Sequence, residues 1–245
     1  MARDVQKAVA SGTREFRTEA LMTAILVVLT ILVAVSVDLL VVAWRRHQVA
    51  APVASRMRPM LEPRPPQGVF LDPSHAWLRI NTDGTLRVGV DDFLTEAMGE
   101  VEAVTLPARG TQVRRGDPLI RLRVKGRELV VPAPAAGEVM AQNAHAVNEP
   151  WTVARDPYGA GWVVALWTRD HHEAIRPLRI GSAAAAFLRQ EVQRLADFLS
   201  ASQTPATVAL LADGGAPGRG AVASLDEAKL SAFQDEFLGV GRRSE

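Results

Sequence analysis

The chain has 245 residues and a formal net charge of +1, with 28 basic and 27 acidic residues. That balance supplies neither the basic surface that nucleic-acid binding draws on nor the acidic excess of a solvating tail. The absence of cysteine removes disulfides, thiolate metal sites and cysteine nucleophiles from consideration.

Residues 1–20 form an N-terminal extramembrane segment, and the stretch from Leu21 to Trp44 predicts a transmembrane helix. It carries a single charge, Asp38, and about 20 apolar residues are enough to cross a bilayer. Trp44 stands where an interfacial aromatic belongs, with Arg45 and Arg46 directly after it. A cleaved signal peptide has an apolar core of about 7–15 residues and a small-residue cleavage site. This stretch is longer and two arginines follow it, so it reads as an uncleaved anchor. Arg3, Lys7, Arg14 and Arg17 before the span, against Arg45, Arg46, Arg56, Arg58 and Arg64 after it, give the loop-charge rule no direction. Asp38 lies about two turns from the end of the helix. An intramembrane carboxylate marks a functional position, unless it sits at the interface, reaches toward Arg45 or meets a polar neighbour. Asp38, Trp44, Arg45 and Arg46 are therefore the expected membrane and partner contacts.

Residues 45–69 read as a linker rich in Pro and Arg. Proline-rich segments are extended and semi-rigid, so it spaces the following domain from the bilayer. Residues 70–168 turn into short β segments, namely AWLRI, TLRVGV, EVEAVTL, LIRLRV, ELVVP, GEVMA and WVVALW. They are punctuated by turns such as Asp83-Gly84, Arg109-Gly110 and Arg115-Gly116-Asp117. DDFLTEAMG reads as one short helix ending at Gly99. The fold class is mainly β, a compact sandwich or barrel.

Residues 169–245 predict a helical extension. Ser182 caps an alanine run that becomes amphipathic through Phe187, Leu188, Val192, Leu195 and Leu199. A loop marked by Gly214, Gly215, Gly218 and Gly220 follows. A last helix starts at a capping-box spacing, Ser224 to Glu227, and presents Leu230, Phe233, Phe237 and Leu238.

The β region resembles the glycine cleavage system H-protein, a lipoyl-bearing β domain of barrel-sandwich type. The residues that carry the likeness come in order. His75-Ala76-Trp77-Leu78, Asp83-Gly84 and Val88-Gly89-Val90-Asp91 match the first hairpin and helix start. Gly99-Glu100, Val104-Thr105-Leu106-Pro107 with Gly110, and Val113 with Gly116-Asp117 match the approach to the lipoyl hairpin. Ala133-Pro134-Ala135-Ala136-Gly137-Glu138-Val139 matches the strand after it. Asn148 and Asp156-Pro157-Tyr158-Gly159-Ala160-Gly161-Trp162 match the closing segment peculiar to H-proteins among lipoyl domains. These residues speak for fold more than for chemistry.

In that family a lysine at a hairpin tip, within Glu-Ser-Val-Lys-Ala, is amide-linked to lipoate, and the cofactor supplies the chemistry. Without gaps, the lysine position falls here on Gly126, and Lys125 stands one residue early. Only three of the 28 basic residues are lysines, Lys7, Lys125 and Lys229, which makes a lysine at this place notable. The neighbouring Arg121, Arg123 and Arg127 make the hairpin basic, and the family's glutamate is replaced. Arg109, Arg114 and Arg115 extend this set, which forms either one basic face for anionic headgroups or an acidic partner, or scattered solvated arginines. His171-His172-Glu173 lacks a third ligand nearby for a metal.

The expected function is that of a membrane-anchored, non-catalytic accessory subunit. It would use a degenerate H-protein-like domain within a larger membrane complex of respiratory or photosynthetic type. No cofactor, metal or nucleic acid is then expected. The alternative is a tethered lipoyl carrier with lipoate on Lys125. A membrane-fusion adaptor is a weaker alternative, because no helical hairpin is visible between Val124 and Val131. By analogy with the soluble family the domain faces the cytoplasm from the inner membrane.

Overall fold

Alternation of apolar and charged side chains builds the strands, as Leu122 and Val124 turn inward while Arg121 and Arg123 turn outward. A computed structural model of the chain describes residues 60, 62–201, 211 and 216–239. The predicted span 21–44, with Asp38, Trp44, Arg45 and Arg46, lies outside the described residues, as do residues 1–20 and most of the linker. Among the described residues no helix is long and apolar enough to cross a membrane.

In chain order the elements are β1 (Phe70–Leu71), β2 (Ala76–Ile80), β3 (Leu86–Val90), α1 (Asp92–Met98), β4 (Ala103–Thr105), β5 (Gln112–Val113), β6 (Pro118–Val124), β7 (Arg127–Pro132) and β8 (Gly137–Gln142). There follow α2 (Ala144–Asn148), α3 (Trp151–Arg155), β9 (Val164–Trp167), α4 (His171–Ile175), β10 (Arg179–Ile180) and α5 (Ser182–Ala201). A 3-10 turn (Val222–Ser224), α6 (Glu227–Phe233) and a π-type turn (Gln234–Leu238) complete the described chain. One sheet runs in the order β10-β1-β2-β3-β9-β8-β5, the other β4-β6-β7. The mainly β expectation holds, and both predicted C-terminal helices are present.

Register explains one glycine. Trp77 pairs with Gly89 across β2 and β3, and its indole Nε1 donates to the carbonyls of Val90 and Pro157, each at 3.1 Å. A Cβ on Gly89 would sit 2.5 Å from that ring. Gly89→Ala is therefore expected to cost about 1–3 kcal/mol through overpacking, seen as a lowered urea midpoint with an unchanged slope. An unchanged midpoint would mean that the indole moves aside freely.

Two details differ from expectation. Ser182 is the first residue of α5 rather than its cap, since the Ala185 amide donates to the Gly181 carbonyl. The cap of α6 is Asp226, whose carboxylate accepts from the Lys229 amide at 2.9 Å. Ser224 instead closes the preceding 3-10 turn, because Leu225 is extended between them. The C-terminal segments also contribute to the main fold. β10 pairs with β1, and Leu188, Leu195, Leu199, Val222, Leu230, Phe233 and Phe237 join the core.

Candidate functional site at the hairpin tip

Strands β6 and β7 pair up to Val124 and Arg127, leaving Lys125 and Gly126 as a two-residue turn. Both have positive φ, 48° and 72°, as a type I′ hairpin requires. Asn-Gly is the favoured sequence for such a turn, and a lysine in the left-handed region costs on the order of 1 kcal/mol. Lys125 therefore stands at the tip itself, where strand alternation no longer decides which face a side chain takes. Gly126, the ungapped lysine position, is the second tip residue.

The tip is tied down on two sides. The Lys125 Nζ donates to Ser224 Oγ at 2.9 Å, and the Gly126 amide donates to Glu102 Oε2 at 3.0 Å. Glu102 precedes β4, and Arg123 Nε lies 3.8 Å from the same oxygen. An acidic group thus does stand at the tip, supplied by the segment leading into β4 rather than by the hairpin. On the β7 side, the Val130 amide donates to Gln234 Oε1 at 3.0 Å, so the π-type turn after α6 caps the strand's outer edge. None of Glu102, Ser224 and Gln234 is signalled by sequence spacing, because each lies at least 24 residues from its partner.

The arginines near the tip do not form one unmatched basic face. Arg121 pairs with Glu128 at 2.6 Å, Arg115 with Asp72, and Arg123 approaches Glu102. Arg109 and Arg114 are exposed. His171 Nε2 lies 2.6 Å from the Gly84 carbonyl oxygen, which ties α4 to the β2–β3 turn.

Away from the tip, His75 is fully buried in a left-handed conformation, φ 65°. Its ring stacks on Phe93 and Phe187. Its Nδ1 lies 2.8 Å from Asp91 Oδ2 and its Nε2 lies 3.5 Å from Glu191 Oε2. Burial disfavours the charged ring, but attraction and hydrogen bonding to Asp91, joined by Glu191, outweigh it and raise its pKa to about 9. Burial also pushes Glu191 upward, yet its contacts with His75 and Arg194 leave its pKa lowered. The closing motif is structural too. The Tyr158 hydroxyl donates to Asp92 Oδ1 at 2.7 Å, and burial raises the pKa of both groups.

Lipoate fits the tip only in part. An exposed amine sits at the turn, but it is engaged by Ser224, and the flank of the hairpin is filled by residues 222–238.

The family described as Glycine cleavage H-protein matches residues 70–191. The glycine cleavage system H protein of Mycobacterium avium is 33% identical over 129 residues, 53% of this chain and 93% of that protein. The probable glycine cleavage system H protein of Pyrococcus abyssi is 29% identical over 123 residues, 50% and 91% of the two chains. The crystal structure of a glycine cleavage system H protein from Mycobacterium marinum is 28% identical, with coverage of 52% and 98% and a TM-score of 0.44. The chain belongs to the glycine cleavage H-protein family.

Proposed function

We propose that this chain is a membrane-tethered, non-catalytic accessory subunit that uses an H-protein domain for protein contacts and carries no lipoate. The observation that supports this most is the C-terminal extension built onto the β6–β7 hairpin. Ser224 holds the Lys125 amine, Gln234 caps β7, and Phe233 and Phe237 root the extension in the core. A carrier works by presenting a free tip to several partners in turn, and a hairpin closed along one flank offers fewer approaches. The tether rests on the apolar stretch 21–44. The proposed setting is a larger assembly of the inner membrane, of respiratory or photosynthetic type, with the domain on the cytoplasmic side.

Intact mass of the chain isolated from its native membranes tests the reading. The expected mass is that of the unmodified sequence, together with migration in mild detergent as part of a larger complex. A chain that runs as a lone monomer counts against the accessory role.

A second reading has its own support, the exposed Lys125 at the turn. As a lipoyl carrier, the native chain would show a discrete added mass, and Lys125→Arg would abolish it. That pair of results would replace the first reading with the second.

A further inference from the structure

Beside the hairpin tip lies an open cleft of about 810 Å³, with Val124, Lys125, Trp151, Ala154, Arg155 and Arg219 on its walls. Trp151, the first residue of α3, is 42% exposed. A tryptophan left open on the wall of a recess suits a contact anchor, the residue type over-represented among binding hot spots. The Arg155 guanidinium lies over the Trp151 ring at 5.3 Å, which holds the indole in one orientation.

Charge narrows the occupant. Of the groups lining the cleft, Arg219 is matched by Glu96 at 3.5 Å. Glu102 is taken up by the Gly126 amide and Arg123. Lys125, whose amine reaches only the Ser224 hydroxyl, and Arg155, which reaches only the indole, have no carboxylate partner among the described residues. Glu100 is the one exposed carboxylate of the lining left over, so the unmatched charge is positive. A concave recess with an aromatic wall suits a chain that can enter it, whereas a bilayer surface is too flat to do so.

We infer that this cleft docks an acidic segment of a partner protein, with an apolar side chain against Trp151 and carboxylates at Lys125 and Arg155. The inference rests on the accessory-subunit reading, because acylation of Lys125 would remove one of the two charges.

The test uses the full chain in mild detergent and a labelled peptide of alternating Glu and Leu, with a Lys-for-Glu peptide as control. Fluorescence anisotropy is expected to show binding of the acidic peptide alone. Trp151→Ala should weaken it at least tenfold. The double variant Lys125→Gln with Arg155→Gln should weaken it about fivefold at low salt, a loss that disappears near 1 M salt. Trp167→Ala, an exposed tryptophan outside this cleft, should leave it unchanged. Equal binding of the two peptides, no binding of either, or indifference to Trp151→Ala overturns the proposal. So does binding to phosphatidylglycerol vesicles through these residues in place of the peptide. Intact mass separates the two layers. An added mass on native Lys125 defeats the accessory reading, while the peptide result on unmodified chain judges the cleft alone.

Discussion

Phe233→Ala is expected to lower the stability of the whole domain by about 3–5 kcal/mol, the range for truncating a buried aromatic. Phe233 has no exposed surface. Its ring stacks on Phe237 at 4.7 Å and meets Phe198 edge-on at 6.3 Å, while Phe237 stacks on Phe93 at 6.2 Å. One aromatic cluster thus joins α1, α5 and the extension, which lie far apart in sequence. Chemical denaturation should show a single cooperative transition at a lower midpoint. If only residues 216–239 lose amide protection and the main transition stays in place, the extension is an appendage. The hairpin flank would then be covered only loosely, and the tip left open to partners.

The pH profile carries the second large effect. His75 has its pKa raised to about 9 against an ordinary value of 6.5. The folded state therefore holds the proton more tightly than the unfolded state does. The resulting stability is complete below about pH 6.5 and is lost as pH rises through about 9. A difference of this size corresponds to about 3 kcal/mol. Glu191 works in the other direction, because its lowered pKa gives stability that is lost on acidification through its folded value. Unfolding free energies from urea titrations at pH 6, 7.5 and 9.5 should fall clearly between the last two. Asp91→Asn removes the strongest attraction while leaving an oxygen to accept from the Leu94 amide, and should flatten that fall. Equal stability at pH 6 and 9.5 in the unaltered chain would refute the charged histidine.

Much of the β fold is legible in the sequence, for identifiable reasons. AWLRI is β2 to the residue, and DDFLTEAMG gives α1 with Gly99 at its end, because an alternating pattern and a capped helix are local signals. β1, β5 and β10 escape, since strands of two residues have no period to read. The short helices α2 and α3 escape too, since five residues are too few to show a helical period. EVEAVTL shrinks to β4, because only Ala103, Val104 and Thr105 find partners on β6.

The site shows a sharper division. The sequence places the tip at Lys125 and Gly126 and raises a problem of register. The turn geometry largely dissolves that problem, since both residues are tip residues. What surrounds the tip was not readable. Ser224 reaches Lys125 across 99 residues and Gln234 reaches Val130 across 104, and such contacts come from tertiary packing rather than from spacing. The capping box at Ser224 fails for a local reason. Its spacing is right, but the extended Leu225 hands the cap to Asp226.

The Gln234 contact on β7 has one more consequence. β7 is one of the two outer strands of the β4-β6-β7 sheet, and a bare outer strand is a template on which a neighbouring chain can polymerise. Pro132 at its end offers no amide hydrogen, and the Val130 amide is already taken by Gln234. The extension thus occupies a donor that an added strand would need at this edge. A second chain that approached β7 edge to edge would find the Val130 donor already taken.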